Sequence, residues 1–307
     1  MNTLLLPFLL YFAQQPLPPV LVTDQAAHRI IMADANTGTV YWEWKAGDVA
    51  EDHKKWFSNP SDVKMVMDNR YVLTCASGGG VALVRLQDGK TVFYDYAGGN
   101  THSAELLPDG NIVTASSTGN YLCVFRADTS GGYQQGRLKQ KVFLADAHNA
   151  VWYYGRLWAG GRSKLYAFRY NNSRETPALH KEDSVKIPGK NAHDMIVAPA
   201  SQTLWLSMED TLLEFNPGSK KFAPVKSRLQ HNVKSISPGH GAPALVTVPK
   251  EQWWTDEIHD TEGRSILKKE GWKIYKARWA TSVSTSSHTL DNKDGSKKNA
   301  LKKYTAH

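Results

Sequence analysis

Short apolar segments alternate with polar turns along most of this chain, and the alternation repeats. Three hairpin patterns are clear, because each has an apolar strand, a polar turn with glycine and a second strand rich in aromatic or β-branched residues. They cover residues 30–44, 83–96 and 212–225, and looser copies cover 123–144, 165–187 and 253–267. The pattern predicts six hairpins in a repeat protein.

Another pair of strands separates successive hairpins. These pairs begin at Ser61, His102, His148, His193 and Val233, at intervals of 40 to 46 residues. Four short strands in a repeat of about 40 to 45 residues are the period of a β-propeller blade. The sequence therefore predicts an all-β fold of four-stranded antiparallel blades.

One blade is predicted to be shared by the two ends of the chain. Segments 19–24, 28–34 and 39–44 supply three strands with no inner strand before them, and 272–279 supplies one strand with no hairpin after it. Together they complete a blade and close the ring. We predict a six-bladed β-propeller over residues 20–281. Outer-strand aromatics are then expected to pack between blades: Trp42, Trp44, Phe93 and Tyr94.

Composition narrows the class of protein. The 307 residues are 41% hydrophobic and 21% charged, which excludes a disordered chain. Residues 282–307 hold five Lys against two Asp and little that could be buried, so they predict a disordered basic tail. The remaining excess of Lys and Arg forms no basic stripe. We therefore expect no nucleic-acid partner, and we expect a monomer.

The first residues indicate export. Residues 4–13 form an apolar run that is too short to span a bilayer but matches a secretion signal in size, so we predict a signal peptide at 1–13, no membrane span and a secreted protein. An N-terminal apolar strand is the alternative. The sequon Asn171-Asn172-Ser173 is typical of a secreted glycoprotein.

The two cysteines, Cys75 and Cys123, lie in apolar strand-like runs without a Cys or His at ligand spacing. That pattern favours two buried thiols. A single bridge between them is the alternative.

Polar residues recur where the predicted inner strands begin. Aligned on those strands, the first column reads Ser61, His102, His148, His193, Val233 and Tyr275. The second column is polar in every blade: Asp62, Ser103, Asn149, Asp194, Lys234 and Lys276. Because inner strands surround the channel, the two columns predict a polar ring at its mouth. In the fourth column Lys64, Glu105 and Arg278 predict a buried ion network.

Three interpretations of the histidines remain open. Neutral imidazoles on adjacent strands could together hold a divalent metal ion. One imidazole or Tyr275 could instead act as a general base, while Lys234, Lys276 or Arg162 stabilise an anionic substrate. Alternatively, each histidine only hydrogen-bonds a neighbouring loop.

Several segments resemble a family of secreted six-bladed propellers of undefined function, over residues 20–280: VTDQAAHRIIMAD, HSAELLPDGNIVTASSTGN, HNAVW, HDMIV and WKIYKARW. The resemblance implies distant similarity to propeller lyases and glycosidases of acidic polysaccharides, which use histidines at the channel mouth with Arg, Lys or Tyr. One such group binds a divalent metal through three histidines. The segment ADANTGTVYWEW also resembles the repeat of quinone-dependent dehydrogenases, but as a single good copy among six blades.

We therefore expect an extracellular carbohydrate-active propeller that cleaves, as a lyase or glycosidase, or captures an acidic oligosaccharide. A non-catalytic scaffold for protein interaction or ligand binding is the alternative. The expected catalytic residues, the first three also being metal ligands, are His102, His148, His193 and Tyr275. The expected substrate-binding residues are Asp62, Arg162, Asp194, Lys234, Lys276 and Trp254. We expect no nucleotide cofactor, since no glycine-rich phosphate loop is present, and no quinone cofactor, since the dehydrogenase-like repeat occurs as one good copy among six blades.

Overall fold

Six four-stranded antiparallel sheets form a ring in the computed structural model, which describes residues 16–239 and 241–281. The signal peptide predicted at 1–13 and the tail predicted at 282–307 lie outside these residues. The fold is an all-β six-bladed propeller, as the repeat pattern predicted.

The blades are numbered along the chain, from the one that contains its first strand. Blade 1 begins with β1 (Val20–Asp24), β2 (Arg29–Ala33) and β3 (Val40–Trp44), and a 3₁₀ helix (Glu51–Phe57) leads to the next blade. Blade 2 contains β4 (Pro60–Val66), β5 (Tyr71–Ala76), β6 (Gly80–Arg85) and β7 (Thr91–Tyr96). Blade 3 contains β8 (Thr101–Leu106), β9 (Ile112–Ser116), β10 (Tyr121–Phe125) and β11 (Leu138–Phe143).

The second half of the ring repeats this arrangement. Blade 4 contains β12 (Asn149–Tyr153), β13 (Arg156–Gly160), β14 (Lys164–Tyr170) and β15 (Leu179–Lys186). Blade 5 contains β16 (Ala192–Ala198), β17 (Thr203–Met208), β18 (Leu212–Asn216) and β19 (Lys221–Pro224). Blade 6 contains β20 (Ser235–Ser237), β21 (Leu245–Thr247), β22 (Glu257–Asp260) and β23 (Ser265–Lys268), and β24 (Ile274–Trp279) completes blade 1.

The split blade is confirmed by the pairing of β24 with β1. Val20 lies opposite Trp279, and Leu21 lies opposite Arg278, in an antiparallel ladder that joins the two ends of the described chain. The first strand of each blade, β24 in blade 1, contacts the first strand of the next blade, so these six strands surround the channel. Closure of the ring leaves no inner sheet edge exposed.

Local sequence explains the hairpins between outer strands. Between β2 and β3, the Asp34 carboxylate accepts hydrogen bonds from the amides of Asn36 and Thr37. Gly38 then adopts a φ of 68°, in the left-handed region that glycine enters without steric cost. The turn returns the chain to the sheet and so sets the register of β3.

The core is divided into layers between blades. Trp42, Trp44 and Tyr94 are buried in one cluster between blades 1 and 2, and Phe93 packs edge-on against Phe125 between blades 2 and 3. The prediction that these outer-strand aromatics pack between blades is therefore confirmed. They have little surface left to contact a ligand.

Three smaller predictions can be placed on the fold. Cys75 and Cys123 are free and buried, so the thiol interpretation holds and the bridge does not. Asn171 of the sequon is exposed. Among residues 16–239 and 241–281, no helix has the length and apolar character needed to cross a membrane.

Candidate functional site

The histidines of blades 3 and 5 lie at irregular positions of their inner strands. The β8–β9 ladder skips His102 and the β16–β17 ladder skips His193, and in blade 2 the β4–β5 ladder skips Ser61 in the same way. A β-bulge leaves its extra residue unpaired and re-aims the side chain. The bulges explain why these side chains can turn out of the blades towards one another.

Blade 6 corrects one column of the sequence alignment. The amide of Lys234 donates to the carbonyl of Thr247, just as the amide of His148 donates to the carbonyl of Gly160. Lys234 is thus the structural equivalent of His148, and the prediction that placed Val233 in the first column is wrong. Val233 is buried in the apolar layer between blades 5 and 6, so its hydrophobicity did not mark the register.

Five first-column side chains form a continuous polar arc, which we call the mouth ring: Tyr275, His102, His148, His193 and Lys234. The Tyr275 hydroxyl lies 3.2 Å from Nδ1 of His102. The His102 and His148 rings stack with centroids 4.8 Å apart, and His148 meets His193 edge-on at 5.9 Å. Lys234 Nζ lies 3.0 Å from Nε2 of His193. The fold therefore brings the three histidines to one place.

An acidic residue that the sequence analysis did not select orients the central histidine. Nδ1 of His148 lies 3.1 Å from the Asp146 carboxylate and 3.2 Å from its carbonyl oxygen. Asp146 is held in place because its amide donates to the side-chain oxygen of Asn120. The hydrogen bond from His148 holds the pKa of Asp146 below its ordinary value, so the carboxylate stays ionised. Nε2 of His148 has no hydrogen-bond partner among the described residues.

Burial and positive charge keep two of the imidazoles neutral. Burial, together with His148 and Lys276, holds the pKa of His102 well below its ordinary value. Burial and the Lys234 ammonium lower the pKa of His193 to about 3. Burial also raises the pKa of Tyr275, so this phenol stays protonated, and burial lowers the pKa of Lys234. The mouth ring therefore places two neutral imidazoles and a protonated phenol beside a lysine.

Directly beneath the mouth ring, an ion network closes the channel. Arg278 Nη2 contacts both Asp62, at 3.0 Å, and Asp194, at 2.7 Å, and these carboxylates come from blades 2 and 5, on opposite sides of the ring. Lys276 Nζ adds a contact of 3.0 Å to Asp194 and donates to the His102 carbonyl. We call Asp62, Asp194, Lys276 and Arg278 the channel network.

The charges of the channel network satisfy one another. All four residues are at most 3% exposed. Burial alone would raise the pKa of Asp62, but Lys276, Lys64 and Arg278 hold it far below its ordinary value. Lys64 in turn pairs with Glu105 at 2.6 Å, but both side chains are partly exposed, so of the three fourth-column charges only Arg278 is buried. Asp62, Asp194 and Lys276, expected to bind substrate, thus lie under the mouth and contact protein groups.

The two remaining predicted residues lie away from the channel axis. Arg162 is exposed, its amide bonds to the Ala145 carbonyl, and its charge helps to lower the pKa of Asp146. Trp254 lines a separate cavity in blade 6 whose walls include none of the three histidines. Arg162 therefore borders the mouth ring, and Trp254 belongs to a second site.

The donor set of the mouth ring does not suit a metal ion. Within the described part of the chain, no three His, Cys, Asp or Glu side chains are arranged to hold one. Nε2 of His193 already faces the Lys234 amino group, and two stacked rings direct their lone pairs along nearly parallel planes. A second cation would also be repelled by Lys234.

Comparisons with known proteins agree with this architecture. The chain is similar to a protein of unknown function from Bacteroides caccae, with 14% identity, a TM-score of 0.58, and coverage of 85% of this chain and 98% of that one. It also matches dihydro-haem d1 dehydrogenase NirN, with 15% identity, a TM-score of 0.48, and coverage of 89% of this chain and 56% of that one. No curated protein matches the sequence.

The similarity to the Bacteroides caccae protein agrees with the fold and leaves the activity open. In all, 1276 solved chains match, and a fold shared that widely does not select one chemistry. The family of unknown function DUF6528 matches residues 13–292, which include the whole ring. Because this match covers most of the 307 residues, the chain belongs to the DUF6528 family.

Proposed function

We propose that this protein acts outside the cell on an acidic oligosaccharide, which it binds at the mouth ring and cleaves by β-elimination with His148 as the general base. The Asp146–His148 pair carries the proposal. A neutral histidine that carries its proton on Nδ1 and donates it in a hydrogen bond to a carboxylate presents an unprotonated Nε2. This is the tautomer that a general base needs. His148 is also more exposed than His102, which is buried, since 17% of the His148 side chain is accessible.

A cation lies where a uronate carboxylate would have to bind. Lys234 is half-buried, and its amino group has a neutral imidazole as its hydrogen-bond partner rather than a carboxylate. Burial disfavours this ammonium and the charge of Glu209 offsets that effect only in part, so a bound carboxylate would add a countercharge. Arg162 at the rim is a second cation for the same ligand. Neutralising the carboxylate makes the adjacent carbon acid easier to deprotonate.

The elimination uses groups that are present. His148 Nε2 takes the proton from the carbon next to the carboxylate, and the electron pair of that C–H bond forms the new carbon–carbon double bond as the glycosidic C–O bond breaks. His148, now an imidazolium, passes that proton to the leaving oxygen and returns to its neutral form, while the Nε2–H of the neutral His102 donates a hydrogen bond to the same oxygen. The Tyr275 hydroxyl donates to Nδ1 of His102 and so keeps the proton of that ring on Nε2. Tyr275 is thus a donor in this proposal, since its raised pKa rules against a phenolate base.

Extracellular action is supported by two features of the sequence. The apolar run at residues 4–13 resembles a secretion signal, and the sequon asparagine Asn171 is exposed on the fold. We expect the expressed protein to appear in the culture medium without its first residues. Mass spectrometry of the secreted protein measures that loss.

The test is a screen of oligosaccharides of galacturonate, mannuronate, guluronate and glucuronate. An unsaturated product absorbs in the ultraviolet, and calorimetry reads binding. We expect His148→Gln to lower kcat by about 100-fold or more, as removal of a general base does, while the matched exposed variant His180→Gln changes nothing. Asp146→Asn should lower kcat in the same direction. Wild-type protein that neither binds nor cleaves any uronate would overturn the proposal and favour the scaffold alternative.

A further inference from the structure

A second concave site lies beside the mouth ring, between blades 6 and 1. It is a cavity of about 320 Å³ formed by the loop that leads into β22 and by the segment between β23 and β24. Two indoles, Trp254 and Trp272, take part in its walls. The next residue in the loop, Trp253, meets Trp254 at 85° with centroids 5.1 Å apart, which fixes the plane of the Trp254 ring.

The charges of this cavity are of two kinds. Lys250 is neutralised by Asp256 at 2.7 Å and by Glu257 at 2.6 Å. Two further carboxylates on the walls, Glu251 and Glu270, are exposed and form no ion pair within the described part of the chain. They remain available as hydrogen-bond acceptors.

One cation of the cavity faces an indole. The Lys273 ammonium lies 4.3 Å from the centre of the Trp254 ring, at the distance of a cation–π contact. Such a contact at an exposed site is weak, so a ligand can displace the lysine stem from the ring. An aromatic face with acceptor groups around it is the usual combination for a sugar ring, whose C–H face stacks while its hydroxyls donate.

The backbone joins this cavity to the mouth ring. Thr255, directly after Trp254, exchanges two backbone hydrogen bonds with Ile274, the neighbour of Tyr275. The side chain of Gln25 forms a second link between the cavity and the inner strands. Its Oε1 accepts a hydrogen bond from the Trp253 indole, and its Nε2 donates to the carbonyl of Pro60, one residue before Ser61. Both sites therefore open on the end of the channel where the inner strands begin.

We propose that the Trp254 cavity binds a neutral sugar unit of the same oligosaccharide whose acidic unit lies at the mouth ring. The inference rests on the proposed function and narrows it to chains that combine uronate with neutral sugars. A uronate is disfavoured in the cavity because Glu251 and Glu270 would repel its carboxylate, whereas a neutral unit can donate its hydroxyls to both. The mouth ring has the opposite preference, because its unpaired cation favours an anion.

The experiment compares two probes of equal length by calorimetry: an oligosaccharide of galacturonate alone, and one in which glucuronate is linked to xylose. We expect the mixed chain to bind at least tenfold more tightly to the wild type. Trp254→Ala should remove that advantage and leave the affinity for oligogalacturonate within about twofold. Glu251→Gln, a change at an exposed residue that does not threaten folding, should weaken the mixed chain alone. Trp205→Phe is the matched aromatic control in blade 5.

Each result decides between defined alternatives. Equal affinity of the two probes for the wild type, or an equal effect of Trp254→Ala on both, would overturn the neutral-sugar site. Failure of the proposed function has a different signature: Lys234→Met would then leave oligogalacturonate binding unchanged. A neutral xylose oligosaccharide tests the Trp254 cavity independently of the mouth ring. It should bind to Lys234→Met as it does to the wild type, and it should fail to bind to Trp254→Ala.

Discussion

The mouth ring and the channel network are neighbouring layers of the same inner strands, and they treat charge in opposite ways. In the channel network two carboxylates face two cations at 2.7 to 3.5 Å, and all four residues are buried. In the mouth ring Lys234 faces a neutral imidazole, and Nε2 of His148 is unpaired within the described residues. The charges of the channel network are thus satisfied within the protein, whereas the mouth ring keeps a ring nitrogen without a partner among the described residues.

The channel network blocks the channel and holds the mouth ring in place. Arg278 reaches across the channel to carboxylates of opposite blades, so the channel network is a plug beneath the mouth ring. The plug also fixes the mouth, because Lys276 donates to the carbonyl of His102.

The largest expected effect comes from removing β24, which supplies residues to both layers. A chain that ends at Gly271 lacks Lys276 and Arg278, leaves Asp62 with Lys64 alone and Asp194 without its two cations, and exposes the edge of β1. We expect it not to fold, as judged by circular dichroism and by a loss of cooperative unfolding. A chain that ends at Thr281 keeps the strand and should unfold cooperatively. Equal behaviour of the two truncations would contradict the split blade.

Much of this fold could be read from the sequence, because each blade repeats the same strands and turns. The ends of the chain were recognised as one blade since each supplied what the other lacked. The columns of the inner strands were harder to align. Bulges shift the register at His102 and His193, and blade 6 offers the apolar Val233 next to the residue that belongs in the column.

The candidate site was predicted only in part, for two physical reasons. Asp146 precedes its strand in a loop, with a φ of 55°, and periodicity says nothing about which loop carboxylate will meet a histidine. The sequence predicts Trp254 and the histidines on one face of the propeller, and therefore in one site. The direction of a long loop is set by its own contacts, here with Ile274 and Lys273, and these lead to a separate cavity.

A single change within the channel network should have the next largest effect. Lys276→Met leaves Asp62 and Asp194 with only Arg278 as their cation within the network, and breaking a buried ion network costs about 3–5 kcal/mol. Lys54→Met, at a lysine whose side chain is 40% exposed, should change the free energy of unfolding by less than about 0.5 kcal/mol. Urea denaturation measures both. Similar values for the two variants would show that the network does not stabilise the ring.

The pH dependence of stability should separate the mouth from the plug. His193 has a pKa of about 3 in the folded protein against an ordinary value of 6.5, so the unfolded chain binds a proton that the folded chain excludes. Stability should therefore fall on acidification from about pH 6.5 to about 4.5, by up to about 1.4 kcal/mol per pH unit for this group. The His193→Gln variant should lose that part of the slope. An unchanged slope would mean that His193 is protonated in the folded state.

The smallest effect on stability is expected at Lys234, the cation of the mouth ring. This variant tests directly whether the mouth ring and the channel network differ in their contribution to stability. Lys234→Met removes an ammonium that is already disfavoured by burial, so the free energy of unfolding should stay within about 1 kcal/mol of the wild type, in contrast to Lys276→Met. The chemistry of the ring should nevertheless change. After burial, Lys234 is the largest cause of the lowered pKa of His193, so its removal should raise that pKa from about 3 towards 6.5. An NMR titration of the imidazole protons measures the shift, with Lys54→Met as the control. A His193 titration that does not move would place the Lys234 ammonium away from the ring in solution, and would remove the cation on which anion binding at the mouth depends.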